Sequence, residues 1–140
     1  MEYRRFKDDI VMRVDPGEEI IAKITEICDK EQINLANVTG LGAAGEVTLG
    51  IFGTKTKEYY SETYIGEYEI SSLVGNISRK DGAPYLHLHA TIGNVVKKEC
   101  HGGHLSKAVI SATGEIMIHI IGGAVGRELS DTIGLNLYKF

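Results

Sequence analysis

The hydrophobic positions of the chain follow two different periods, and the period changes near residue 33. After Asp15-Pro16-Gly17, isoleucines and a cysteine recur at helical spacing through about Gln32. Asp15 can cap a helix and Pro16 suits a first turn, so the pattern predicts one long amphipathic helix. Cys28 falls on the apolar side of that helix, where a small buried side chain is expected.

Elsewhere the pattern favours strands, because short runs of β-branched and aromatic residues are separated by glycine or charged turns. Lys80-Asp81-Gly82 has the composition of a hairpin turn, and Ala124–Asp131 has that of a polar turn. The predicted strands are Asp9–Val14, Leu35–Leu41, Glu46–Phe52, Tyr59–Ile65, Glu67–Gly75 extending through Asn76–Arg79, Tyr85–Ile92, a pair around His101–Lys107, Val109–Ile121 with an irregularity at Gly114, and Leu135–Tyr138. This succession predicts an α+β fold, a mainly antiparallel β-sheet with the long helix packed on it.

Length and composition fit a single domain over residues 1–140. The chain is 43% hydrophobic and 24% charged, which argues against disorder. Its net charge of −4 gives no general attraction to nucleic acid or to an anionic membrane. No apolar run reaches the ~18 residues of a membrane-spanning helix, and Met1–Arg5 is not followed by the apolar core of a secretory signal. These two features predict no membrane partner. Two cysteines make no disulfide framework, so we expect a cytoplasmic location.

The glycine run Gly40–Gly45 has the spacing of a dinucleotide-binding fingerprint. The sequence after it is strand-like, so no helix N-terminus is predicted there to hold a pyrophosphate. Turns and bulges are the simpler explanation for these glycines.

The strongest chemical signal is a cluster of histidines, since four of the five lie within eighteen residues. Strand side chains alternate, so His87 and His89 point the same way, roughly 6.5 Å apart, and can share one tetrahedral metal. His104 is the favoured third ligand, because Gly102 and Gly103 before it let an adjacent strand approach closely. A polar pair on a solvated sheet face would give the same short motif, so that alternative stays open.

The other nearby side chains are weaker candidates. His101 is expected to face away from the three ligands, behind them or on the surface. Cys100 is an outside candidate, because a thiolate suits zinc. His119 alternates with Met117 and Ile121, which predicts a packed strand histidine rather than a ligand.

Neutral imidazoles without a carboxylate favour zinc over magnesium or calcium, so zinc is the expected cofactor. Iron or nickel could bind the same set of side chains. An open fourth position would hold water and make hydrolysis chemically feasible. A reaction also needs a general acid or base, for which Glu115, Glu69 and Glu99 are candidates. The residues therefore leave three hypotheses: a zinc-binding module, a zinc-dependent hydrolase or lyase, and an assembly module whose histidines meet at subunit contacts.

Several motifs together resemble prokaryotic members of the plants-and-prokaryotes conserved (PPC) domain family. They are Gly40-Leu41-Gly42, the run Gly66–Gly75 with Tyr68 in place of a phenylalanine, Gly82-x-Pro84-x-Leu86-His87-Leu88-His89, Gly102-Gly103-His104-Leu105 and Thr113-Gly114-Glu115-Ile116. The resemblance implies a central antiparallel sheet, a homotrimer with sites near subunit contacts, and metal ligation by the residues that match the motif, His87, His89 and His104.

The resemblance does not supply a reaction. Plant members carry this domain beside AT-hook DNA-binding motifs, but no Arg-Gly-Arg-Pro-type segment occurs in this sequence. Arg79-Lys80 and Lys97-Lys98 are its only adjacent basic pairs after the N-terminus. We therefore expect a zinc-binding PPC-domain protein of unknown biochemical role, with DNA association or regulation implied by family analogy alone.

Overall fold

A computed structural model describes all 140 residues, with one helix and eight strands. Every strand pair is antiparallel, which confirms the mainly antiparallel sheet. The elements in chain order are β1 (Glu2–Phe6), β2 (Asp9–Val14), α1 (Ile20–Lys30), β3 (Ala36–Gly53), β4 (Glu58–Lys80), β5 (Ala83–Asn94), β6 (Glu99–Ile120), β7 (Gly126–Leu129) and β8 (Asn136–Lys139).

The main sheet closes on itself. Its strand order is β1-β2-β6-β3-β4-β5, and β5 also pairs with β6. Strands β3 to β6 therefore form a small barrel, while β1 and β2 extend the sheet from the far end of β6. Strand β6 serves both parts because its 22 residues pair with β5 near the start and with β2 near the end.

The helix is shorter than predicted and begins later. It has 11 residues, and Glu19 rather than Asp15 caps it. The Glu19 carboxylate accepts hydrogen bonds from the backbone N–H groups of Ile21 and Ala22, and also from that of Ala108 in β6. The contact with β6 determines where the helix begins, and the local sequence pattern does not predict this contact. Cys28 is fully buried as predicted, and burial raises the pKa of its thiol to about 12.

Several predicted short strands are parts of single long ones. The strands predicted on either side of residues 42–45 form β3, those around Gly66 form β4, and those around Val109 form β6. Register shifts between Gly40 and Gly42 and between Ala44 and Glu46 show that the glycine run bends β3 without ending it. Because β3 continues through the run, the dinucleotide motif has no helix after it, as predicted.

Two short strands were missed. Strand β1 is exposed except at Tyr3, so its sequence lacks the alternation of a half-buried strand. Strand β7 lies inside the segment predicted as a polar turn, where it pairs with β8 in a separate two-stranded sheet. That small sheet supplies a residue of the site described below.

One continuous hydrophobic cluster fills the barrel and extends beneath α1. Ile24 and Ile27 of the helix and Ile116 and Ile118 of β6 belong to it. Ser78 is the one buried polar side chain, and it accepts a hydrogen bond from Arg127 of β7. No helix in the chain is long and apolar enough to cross a bilayer.

Candidate metal centre

Strands β5 and β6 bring three histidines together on the outside of the barrel. His87 and His89 share one face because Leu88 between them points inward and is 1% exposed. His104 lies directly opposite His89 in the β5–β6 register. One ring nitrogen from each of the three side chains can be chosen so that all three lie within 4.8 Å of one another. The structure thus places side by side the three residues that the sequence singled out.

The three imidazoles form a compact group. Their ring centroids are 5.2 to 5.6 Å apart, and the Nε2 atoms of His87 and His89 are 3.3 Å apart. Burial lowers the pKa of His87, and the nearby His89 and Arg127 add to the effect. Burial likewise lowers the pKa of His104, with smaller contributions from His87 and His89. Both rings therefore favour the neutral form, whose lone pair can bind a metal.

This donor set fits zinc. Three neutral nitrogens with no carboxylate in the group suit zinc, whereas magnesium and calcium prefer oxygen ligands. Three protein ligands would also leave one position of a tetrahedral metal open, as in catalytic zinc sites.

The open side of the cluster faces a cleft of about 520 Å³. Its walls are largely aromatic and apolar, and the side chains include Phe52, Tyr59, Tyr85, Leu135 and Leu137. The Tyr59 ring meets His104 edge-on at 6.1 Å, and the Tyr59 hydroxyl is 2.9 Å from Ser106 Oγ.

A glycine lets two strands meet beside His104. A Cβ atom on Gly103 would lie 2.8 Å from the carbonyl oxygen of Gly50 in β3, closer than real Cβ contacts allow. At Gly102 the nearest atom would be 3.5 Å away, an ordinary contact. Close approach of a neighbouring strand, predicted for both glycines, is therefore required only at Gly103.

Arg127 is a site residue that sequence reasoning missed. It reaches the cleft from β7 and donates hydrogen bonds to Ser78 Oγ, the Asn76 side-chain oxygen and the Asn136 carbonyl. Its guanidinium also lies 4.8 Å from the ring centre of Tyr85. No sequence motif identifies Arg127 as a site residue. It is distant from the histidines in the sequence and lies near them because β7 pairs with β8 beside the cleft.

The predicted acid–base candidates lie elsewhere. Glu115 is eleven residues beyond His104 on β6, and it lines another groove with Leu41. Glu69 is exposed on β4 opposite Gly93. Glu99 accepts a hydrogen bond from the Tyr68 hydroxyl, which with Lys97 holds the pKa of that carboxyl below its usual value. None of the three belongs to the histidine group or lines its cleft.

The remaining histidines and Cys100 also lie outside the cluster. His101 pairs with inward-facing Ile92 and stacks on Tyr64 at 4.1 Å between ring centres, so it points away from the three clustered histidines as predicted. Cys100 is exposed. His119 is not packed, contrary to the prediction; Ile118 beside it takes the inward position, and His119 turns outward to meet Asp9 at 2.8 Å.

The fold and the site together describe a small antiparallel β-barrel protein with a three-histidine cluster on its outer face. Residues 1–122 match the Plants and Prokaryotes Conserved (PCC) domain, which is the family abbreviated PPC above. The chain belongs to this family, which confirms the resemblance carried by its glycine and histidine motifs.

Solved structures of similar proteins share the fold over nearly the whole chain. A protein from Bacteroides thetaiotaomicron, provisionally described as DNA-binding, is 32% identical with a TM-score of 0.95, covering 99% of this chain and 96% of its own. A metal-containing protein from Archaeoglobus fulgidus is 29% identical with a TM-score of 0.88, covering 99% and 97%. A plant- and prokaryote-conserved protein from Pyrococcus horikoshii is 32% identical with a TM-score of 0.85, covering 99% and 94%. No curated protein matches the chain significantly.

Proposed function

We propose that this protein is a zinc-binding PPC-domain module in which His87, His89 and His104 hold the metal. The proposal is carried by one observation, the grouping of three ring nitrogens within 4.8 Å without a carboxylate. The description of the Archaeoglobus relative as metal-containing supports it. Bound zinc would supply a Lewis acid facing the cleft.

Metal content tests this proposal directly. Protein purified without an affinity tag should contain close to one zinc per chain by elemental analysis, and His104→Ala should lose it. His119→Ala is the matched control, since it removes an exposed histidine of the same strand from outside the cluster. A parent that neither contains nor takes up metal, or equal metal in parent and His104→Ala, would contradict the assignment.

The working assembly is proposed to be a homotrimer, as the family resemblance implies. An exposed apolar groove of about 740 Å³ on β1, β2, β3 and β6 supports self-association. Phe6, Val11, Leu41 and Met117 line it, each between 43% and 55% exposed. We also propose a cytoplasmic location, and the two unpaired cysteines support it.

The downstream role is proposed to be regulatory, with DNA association as its first test. The provisional description of the Bacteroides relative as DNA-binding supports the DNA association, and the regulatory role rests on family analogy. The basic residues of this chain give DNA association no further support, because they have acidic neighbours. Arg79 lies 3.7 Å from Asp29, and Lys97 lies 3.6 Å from Glu99. Binding of duplex DNA should be titrated from low to physiological salt, and no affinity at low salt would exclude direct recognition.

A zinc-dependent hydrolase or lyase is the alternative function. One observation favours it: the cluster opens on a cleft large enough for a small molecule. Ester, phosphoester and lactone substrates should be turned over by the parent and not by His104→Ala. Equal rates in both proteins would reject this alternative.

A further inference from the structure

Arg127 is a cation without an anionic partner. Its three hydrogen-bond acceptors, at 2.7 to 3.1 Å, are the hydroxyl of Ser78, the amide oxygen of Asn76 and the carbonyl of Asn136, all of them neutral. None of the ion pairs in the structure includes it. Arg127 is partly buried, and buried charges are usually paired. An anion from outside the chain could therefore serve as its partner.

The guanidinium is also held in place. It contacts two aromatic rings, with its central carbon 4.8 Å from the ring centre of Tyr85 and 4.0 Å from that of Tyr138. Tyr138 is its register partner across β7 and β8, so the small sheet presents the ring to it. A guanidinium has five N–H donors and three are used, which leaves two to bind a ligand without the cost of ordering a mobile side chain.

Arg127 and the three imidazoles share one cleft. Arg127, His87, His89 and His104 all line it. The cleft also has apolar walls, formed in part by Phe52, Leu135 and Leu137. A ligand that satisfies this site needs a negative group at one end and an apolar body beside it.

We propose that the cleft binds a small organic carboxylate, held by Arg127 on the side of the histidine cluster, with its apolar body against Phe52, Leu135 and Leu137. A guanidinium fork matches the two oxygens of a carboxylate. The cleft volume of about 520 Å³ lies within the range of small-molecule sites. Inorganic phosphate would reach the cation but leave the apolar walls uncovered. The inference deepens the proposed function, since it names the ligand class of the same centre.

The test is a calorimetric titration of zinc-loaded protein with benzoate, its neutral isostere benzamide, and inorganic phosphate. Benzoate should bind at least about tenfold more tightly than either of the others, as expected for a charge-assisted hydrogen bond combined with apolar contact. Arg127→Gln should lose that preference while keeping its zinc. Arg5→Gln, which changes an exposed arginine outside the cleft, should retain it.

The outcomes separate this inference from the metal assignment. Equal affinity for benzoate and benzamide in the zinc-loaded parent, or unchanged benzoate affinity in Arg127→Gln, would overturn it. A parent without metal contradicts the proposed function instead, and a benzoate preference that depends on Arg127 in that protein would still support the carboxylate site. If Arg127→Gln does not fold, Arg127→Lys keeps the charge without the fork and should weaken benzoate binding measurably.

Discussion

His89 of β5 lies directly opposite His104 of β6, in the same register that closes the barrel. Only residues 89–94 of β5 pair with residues 99–104 of β6, so the histidine pair stands at one end of a short seam. A metal bound by both strands would join them at that end. Metal binding and barrel closure are therefore expected to be thermodynamically linked.

Zinc should stabilise the metal-free protein against heat. At a free concentration a hundredfold above its dissociation constant, a ligand that binds only the folded state contributes about 2.7 kcal/mol. For a domain of this size the unfolding midpoint should rise by roughly 5 to 15 °C in scanning calorimetry. His104→Ala should show no zinc-dependent rise, and an equal rise in both proteins would mean that zinc acts elsewhere.

Stability of the metal-free protein should depend on pH through His87 and His104. Their pKa values are lowered below the ordinary 6.5, so between the folded-state pKa and 6.5 the unfolded chain binds more protons than the folded one. The free energy of unfolding should therefore rise with pH up to about 6.5 and fall as the protein is acidified below that value.

Urea denaturation of metal-free protein at pH values from 5 to 7.5 measures this dependence. The double variant His87→Asn and His104→Asn should have a flatter profile than the parent across that range, since it lacks the two groups. Identical slopes would show that these imidazoles titrate normally. Zinc affinity should fall over the same acidic range, because protons compete for the same lone pairs.

Two adjacent glycines should respond differently to alanine. Gly103→Ala should lower the free energy of unfolding by about 1 to 3 kcal/mol, because its methyl group would press on the Gly50 carbonyl. Gly102→Ala is the matched control and should change stability by less than about 1 kcal/mol. Urea unfolding together with zinc affinity would show whether the displaced strand also disturbs His104. Equal effects of the two substitutions would contradict the close approach.

Self-association should depend on the apolar groove. Val11→Glu places a charge among its exposed apolar side chains and should shift the protein toward monomer in light scattering and native mass spectrometry. Val95→Glu is the matched control, since Val95 is 91% exposed in the turn between β5 and β6 and lies outside the groove. A parent that is monomeric at micromolar concentration would reject the trimer, and unchanged assembly in Val11→Glu would place the interface elsewhere.

Local pattern was sufficient where the relevant interaction is local. Alternation along one strand put His87 and His89 on a common face, and the turn composition of Lys80-Asp81-Gly82 predicted the hairpin before them. Asp81 and Gly82 there have φ values of 52° and 83°, a backbone conformation that such turn residues accept. His104 was predicted as the third ligand because two glycines precede it in a strand-like run, and the structure places it opposite His89.

Long-range pairing decided the features that the sequence pattern missed or misplaced. The helix begins at Ile20 because Glu19 also binds Ala108, 89 residues away. Glu115 looked like a partner for the histidines, yet β6 continues unbroken between it and His104 and keeps them apart. Glycines that resemble strand ends proved to be bends, since bulges and turns use the same residues.

The sequence alone was enough to indicate the family, the antiparallel strands, one helix and the three clustered histidines, because alternation and turn chemistry act over a few residues. Only the tertiary structure decided that β5 returns to β6, that the imidazoles open on an apolar cleft, and that Arg127 lies beside them. Those contacts join residues distant in the chain, and their energies depend on packing and strand register, which no short segment encodes.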